Sequence, residues 1–157
     1  MERGSQTLNQ IAVKWMGMAT WEQIGMAEFE DIEIVALDEN QTYSTDKSLG
    51  IYDVYFALSA SPAYKWRRLF LAACAGRKAS RKDTWRNVWI DGRYIVISAP
   101  LDEVQKVHHK NLAEDVKQAN MNYRAFLDKM AKRQAEIFAE EENELKKITD
   151  LKKKLKL

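Results

Sequence analysis

From Leu101 to the last residue, Leu157, the sequence contains neither proline nor glycine, a run of 57 residues. Because these two residues are the ones that helix interiors tolerate least, the run predicts a single long helix. Pro100 stands immediately before it, where proline suits the start of a helix. Asp102 and Glu103 would then lie in the first turn, where the helix dipole favours carboxylates.

Apolar side chains recur along this run at steps of three and four residues, as in an amphipathic helix that packs against other surfaces. The apolar stripe is wide in the first half and narrow in the second, so we expect the second half to project from the domain. A helix from Leu112 to Leu155 covers on the order of 65 Å, more than a compact domain of this size offers. The sequence thus predicts a globular part, residues 1–126, and a helical extension able to form a coiled coil, residues 127–157.

The extension carries an apolar stripe that the globular part is not expected to cover. Its members are Phe138, Leu145, Ile148, Leu151 and Leu155. Glu-to-Lys pairs four residues apart, such as Glu142 with Lys146, add only tenths of a kcal/mol to such a helix. The stripe therefore needs a partner surface, either a second copy of the chain or another protein. The alternative is a disordered lysine-rich tail.

The first hundred residues mix helical and strand patterns. The predicted elements are a helix over Thr7–Ala19, strands over Phe29–Leu37 and Ile51–Ser59, a helix over Pro62–Ala75, and strands over Trp85–Ile90 and Tyr94–Ser98. The pair Asp91-Gly92 predicts a type I′ hairpin turn with Val88 opposite Ile95. Gly76 is placed to end the second helix. Residues 38–50 are expected to form a polar loop.

This order of elements predicts an α+β fold: about four strands in an antiparallel or mixed sheet, helices on one face, and the long C-terminal helix projecting from the domain. The order is similar to that of small bacterial secretion chaperones. That resemblance extends to the order of elements alone, which by itself carries no function.

Charge is distributed in blocks. Residues 1–60 hold 3 Lys or Arg and 10 Asp or Glu, whereas residues 61–100 hold 9 and 2. Within the basic block, cations alternate with indole rings, the combination that single-stranded nucleic acids bind. The candidate nucleic-acid-binding residues are Arg77, Lys78, Arg81, Lys82, Arg86, Trp85 and Trp89. A generic basic surface, or a docking site for an acidic protein, explains the same pattern.

Candidate catalytic groups have weak sequence support. Cys74 is expected near a helix C-terminus, where the dipole disfavours a thiolate. His108 and His109 are adjacent on a helix and point about 100° apart, so they cannot chelate one metal together and are expected at the surface. Asp31 and Glu33 share a strand face, but no phosphate-binding or nucleophile motif accompanies them. The sequence therefore assigns no catalytic residue, no metal and no cofactor.

These observations predict a non-enzymatic interaction or adaptor module that forms a homo-oligomer or docks a protein through its C-terminal helix. Nucleic-acid binding through residues 65–93 is the alternative, and a small-ligand binder or an enzyme of unknown class is the third hypothesis, because pockets are not visible in a sequence. Cys74 is the only cysteine, which excludes an intrachain disulfide. No apolar window is long enough for a membrane span, so a cytoplasmic protein is expected.

Overall fold

In this computed structural model, the structure describes residues 29–80 and 86–157, apart from the side chains of residues 78–80. The predicted helix over Thr7–Ala19 lies outside the described residues. Two compact units can be distinguished among the described residues, one formed by residues 30–123 and the other by Phe29 with residues 124–157. The sheet and its packing belong to the first unit.

The described residues form an antiparallel sheet of five strands. The strands are β1 (Ile34–Leu37), β2 (Tyr43–Asp46), β3 (Ile51–Leu58), β4 (Asn87–Asp91) and β5 (Tyr94–Pro100). Their order is β1-β3-β5-β4, and β2 also pairs with β3. Strand β5 pairs along one edge of β3. Strand β2 pairs with the start of β3 and β1 with its end, so both lie along the other edge. The expected α+β fold is confirmed, and the sheet is antiparallel throughout.

Two strand predictions need correction. The first strand begins at Ile34 rather than Phe29, since the backbone of Ile32 is bonded to the side chain of Asn120 instead of to a neighbouring strand. The predicted loop over residues 38–50 contains β2. The polar composition of β2 concealed it, because edge strands bury few side chains and so lack a strong apolar alternation.

The hairpin between β4 and β5 has a different register from the one predicted. Val88 pairs with Ile97, and Asp91 pairs with Tyr94, so the two turn residues are Gly92 and Arg93. Gly92 has a φ of 59°, whereas Arg93 is not among the residues with positive φ. Glycine at the first central position with a positive φ is the requirement of a type II′ turn. The glycine was correctly identified as the turn residue, but it lies one position earlier in the turn.

Two helices follow from the sequence pattern. Helix α1 covers Tyr64–Ser80 and therefore continues past Gly76, which was expected to end it. Helix α2 begins directly after Pro100, as predicted, and comprises an α-helical turn (Leu101–Glu103), a π-helical segment (Val104–His108) and a long α-helix (His109–Lys154). The long C-terminal helix is thus confirmed.

The core of the first unit lies between one face of the sheet and the two helices. The sheet contributes Val54, Phe56 and Leu58 from β3 with Ile95, Ile97 and Ala99 from β5, and the helices contribute Trp66 and Phe70 from α1 with Leu112, Val116 and Ala119 from α2. The Trp66 and Phe70 rings stack, with centroids 5.6 Å apart and planes at 3°. Residues at alternate positions of β3 and β5 form the other face of the sheet.

Candidate functional sites

The C-terminal part of α2 presents apolar side chains to solvent. Ile148, Leu151 and Leu155 are 62%, 55% and 56% exposed, while Phe138 and Leu145 are half-buried. The helix continues to Lys154, so these side chains keep helical spacing and form one stripe. An ion pair between Lys147 and Glu144, 3.6 Å apart, flanks it. Large exposed apolar side chains in a row are typical of surfaces that bind another protein.

Two arginines of the basic segment form ion pairs with carboxylates of α2. The Arg77 guanidinium lies 2.9 Å from Asp115, and that of Arg86 lies 2.6 Å from Glu103. Trp89 is half-buried in β4. The side chains of Lys78, Arg81, Lys82 and Trp85, the other candidates for nucleic-acid binding, lie outside the described part of the chain. Arg77 and Arg86 are therefore both neutralised by a carboxylate and do not present an uncompensated charge.

The ion pair of Arg77 belongs to a partly buried polar cluster between α1 and α2. Asp115 accepts hydrogen bonds from Arg77 at 2.9 Å and from the Cys74 thiol at 3.5 Å, and the Asn111 side chain accepts another from Arg77 at 3.3 Å. Burial, and then the negative charge of Asp115, raise the pKa of the Cys74 thiol far above its usual range. Cys74 lies inside α1 rather than near its end. Its raised pKa keeps the thiol protonated, so a reactive thiolate is disfavoured by burial and by Asp115 rather than by the helix dipole.

His108 occupies an interior position, contrary to the prediction of a surface residue. Its Nε2 lies 2.6 Å from Oε1 of Glu103, five residues earlier, and the side chain is buried. A π-helical turn pairs residues five apart, so this local widening brings the two side chains together. Glu103 thereby joins His108 and Arg86, and the Arg86 hydrogen bond is the main cause that lowers the pKa of Glu103 to about 2.

His109 is exposed, as expected, and marks the junction of two cavities. Its ring stacks on Phe56 with centroids 5.9 Å apart. An apolar cavity of about 510 Å³ lies between β1, β3 and the first turns of α2. A more polar cavity of about 370 Å³ lies between residues 31–34 and the following turns of α2, and both cavities are lined by Ile34 and His109. The two cavities therefore adjoin at Ile34 and His109, along one side of α2.

Asp31 and Glu33, the predicted carboxylate pair, both line the polar cavity, but they precede β1 rather than lying within a strand. The opposite wall of the cavity includes Lys117 and Asn120 of α2. This mixture of charges differs from the purely acidic site that paired carboxylates would supply to a divalent cation.

Asn120, which no sequence motif singled out, holds the segment before β1 in place. Its Oδ1 accepts hydrogen bonds from the Ile32 backbone N–H at 3.0 Å and from the Trp66 indole at 2.9 Å. Its Nδ2 donates to the Ile32 carbonyl at 2.8 Å. The available signal was its position beside Val116 and Ala119, where a polar residue interrupts the apolar face of the helix.

The outer face of the sheet carries hydrogen-bonded tyrosines and aspartates. The Tyr43 hydroxyl donates to Asp53 at 3.3 Å, and Ser98 donates to the same carboxylate at 2.8 Å. The Tyr94 hydroxyl donates to Asp38 at 2.9 Å, which lowers the pKa of that carboxyl. These bonds connect neighbouring strands and the β1–β2 turn, so we assign them a structural role.

Neither a metal-binding cluster nor a membrane-spanning helix occurs in the described residues. Within residues 29–80 and 86–157, three or more histidine, cysteine or acidic side chains do not gather around a common point. No helix in these ranges combines the length and apolar character needed to cross a bilayer. The chain matches no known protein family, no curated protein and no solved structure.

Proposed function

We propose that this protein is a non-enzymatic interaction module that self-associates through the C-terminal end of α2. The observation that carries the proposal is the exposed stripe of Ile148, Leu151 and Leu155 on a helix that continues to Lys154. Removing such side chains from water is favourable by roughly 25 cal/mol for each Å² buried. A second helix of the same kind would bury both stripes at once.

The charge pattern beside the stripe favours a second copy of the chain in antiparallel orientation. Acidic residues precede the apolar set at Glu140–Glu142 and Glu144, and basic residues follow it at Lys152–Lys154. When two copies pair antiparallel with their Ile148 residues at the centre, Glu144 of one copy lies opposite Lys152 of the other. A parallel pair would place like charges opposite each other, which is destabilising. Antiparallel pairing therefore satisfies both the apolar and the charged residues.

The first test is the mass of the full chain in solution, measured by sedimentation or by light scattering across a range of concentrations. We expect the full chain to be a dimer. Replacing both Ile148 and Leu151 by glutamate should convert it to a monomer. Asn143→Glu is the matched control, because residue 143 lies about 140° around the helix from Ile148 and should leave the dimer intact. A full chain that is monomeric at all concentrations refutes the proposal.

A charge-reversal cycle tests the orientation. Glu144→Lys and Lys152→Glu should each weaken the dimer, while the double variant should restore it, because the pair then has the reverse polarity. Each exchange is expected to change the dissociation constant by several-fold, since surface ion pairs contribute at most about 1 kcal/mol. If the double variant is no better than the singles, the antiparallel arrangement is wrong.

Nucleic-acid binding, the alternative, has less support, because Arg77 and Arg86 are paired with carboxylates. Titration with single- and double-stranded oligonucleotides at several salt concentrations distinguishes it from self-association. We also propose a cytoplasmic location, because a free cysteine such as Cys74 is usual in a reducing compartment.

A further inference from the structure

We propose that the groove formed by the two adjoining cavities binds a zwitterionic amphiphile, whose apolar body occupies the apolar cavity and whose two opposite charges occupy the polar one. This site lies within residues 30–123 and is independent of self-association through the end of α2.

The apolar cavity has the size and the surface of a small-molecule site. Its volume of about 510 Å³ falls in the usual range of roughly 300–1,000 Å³. Its floor is the buried pair Val54 and Phe56 of β3. Its rim includes Val35, Leu37 and Leu101, which are 59%, 48% and 47% exposed. Three large apolar side chains in water around an apolar floor favour an apolar occupant.

The apolar cavity itself offers little to hold a charge. Of the residues that line it, only Gln105 and His109 are polar. A ligand body in this cavity would therefore be aliphatic or aromatic, and any charged group must extend past His109 into the polar cavity. Ile34 and His109 line both cavities, so the polar cavity begins where the apolar one ends.

The polar cavity carries opposite charges on its two walls. Asp31 and Glu33 lie on the wall before β1, and Lys117 lies on the wall formed by α2. Glu33 and Lys117 form no ion pair with each other or with another described residue. A ligand with only a positive charge would face Lys117, and one with only a negative charge would face the carboxylates. A head group that carries both charges matches both walls, so charge complementarity selects a zwitterion.

The test is isothermal titration calorimetry on the full chain with three probes built on a twelve-carbon chain and used below their micellar concentrations. The probes are dodecylphosphocholine, the dodecyltrimethylammonium cation and laurate. We expect saturable binding of the phosphocholine about tenfold tighter than binding of either singly charged probe. No saturable binding, or equal or tighter binding of a singly charged probe, overturns the proposal.

Variants at exposed positions separate the two parts of the site without disturbing the core. Leu101→Gln should weaken the binding of all three probes, whereas Leu71→Gln, at an exposed apolar residue of α1, should weaken the binding of none.

The charge variants test the polar cavity. Glu33→Gln and Lys117→Gln should each weaken the binding of the phosphocholine several-fold. Glu33→Gln should shift the preference toward laurate, and Lys117→Gln should shift it toward the cation. Lys129→Gln is the matched control for charge. If each charge variant changes the affinity for all three probes equally, the polar cavity does not hold the head group. Circular dichroism of each variant verifies the fold, and the dimer mass reports separately on self-association.

Discussion

The guanidinium of Arg86 and the carboxylate of Glu103 form a two-point ion pair, with Nε donating to Oε1 at 2.6 Å and Nη2 donating to Oε2 at 2.8 Å. The pair connects the residue before β4 to the first turn of α2. His108 approaches the same carboxylate from the π-helical segment. The Arg86 pair therefore links the start of α2 to the sheet, whereas the His108 contact lies within α2.

Because of this arrangement, we expect the fold to become less stable as the pH falls into the acid range. The pKa of Glu103 is lowered from 4.5 to about 2, with the Arg86 hydrogen bond as the main cause. A carboxyl with a depressed folded-state pKa stabilises the fold fully above its unfolded pKa, and that contribution is lost as pH falls from about 4.5 to 2. We expect Glu103→Gln to lower the free energy of unfolding at pH 7 by about 1–2 kcal/mol.

Urea unfolding at a series of pH values measures this effect. The difference between the native chain and Glu103→Gln should shrink as the pH approaches 2. Glu136→Gln, an exposed carboxylate on α2, should follow the native chain at every pH. A difference for Glu103→Gln that stays constant from pH 7 to pH 2 would contradict the ionic explanation.

Asn120→Leu should be among the more destabilising substitutions in α2. It removes the acceptor of the buried Trp66 indole and both partners of the Ile32 backbone. Leaving buried polar groups without partners costs about 1–3 kcal/mol each, and partial relaxation leads us to expect a loss of about 2–4 kcal/mol in all. Denaturant unfolding measures the loss, and hydrogen exchange should show faster exchange at the Ile32 amide. Asn122→Leu is the control, since that residue is exposed, and a comparable loss there would show that the Asn120 bonds are not the cause.

The Cys74 thiol should react slowly with a disulfide reagent in the native protein. The thiolate is the reactive form, and both burial and the charge of Asp115 raise the pKa of this thiol. Labelling of the native chain should be much slower than labelling in denaturant. Ala125→Cys in a Cys74→Ala background provides an exposed cysteine on the same fold. Equal native rates for the two cysteines would refute the assignment of Cys74 as an inert residue.

The same substitution should have opposite effects at two glycines. Gly92 has a φ of 59°, so Gly92→Ala strains the hairpin turn and should cost about 1–3 kcal/mol. Gly76 lies inside α1, and a Cβ there meets nothing within 4 Å. Gly76→Ala should therefore stabilise the fold by about 0.5–1 kcal/mol through helix propensity. Thermal unfolding of the two variants checks both signs, and a loss at Gly76 would indicate an unseen packing constraint.

Much of the secondary structure follows from short-range patterns. Helix α2 is predictable because the composition after Pro100 lacks helix breakers, and β3 and β5 are predictable because apolar and β-branched residues alternate there. The patterns fail at polar β2 and at the continuation of α1 through Gly76. In both places the contribution of the neighbouring structure outweighs a weak local preference.

The candidate sites divide in the same way. The exposed stripe of Ile148, Leu151 and Leu155 is visible in the sequence, because helical periodicity alone decides which residues share a face. The groove between residues 31–37 and α2, the burial of His108 and the role of Asn120 are not visible there.

The sequence by itself determined that the chain ends in one long amphipathic helix, because each turn of that helix depends only on residues three and four positions away. Only the tertiary structure decided which side chains of the other elements contact that helix. Ile32 and Asn120 are 88 residues apart along the chain, and Arg77 and Asp115 are 38 apart. Such contacts depend on how the sheet and helices pack, and that packing minimises buried unpaired groups over the whole fold rather than within any local segment.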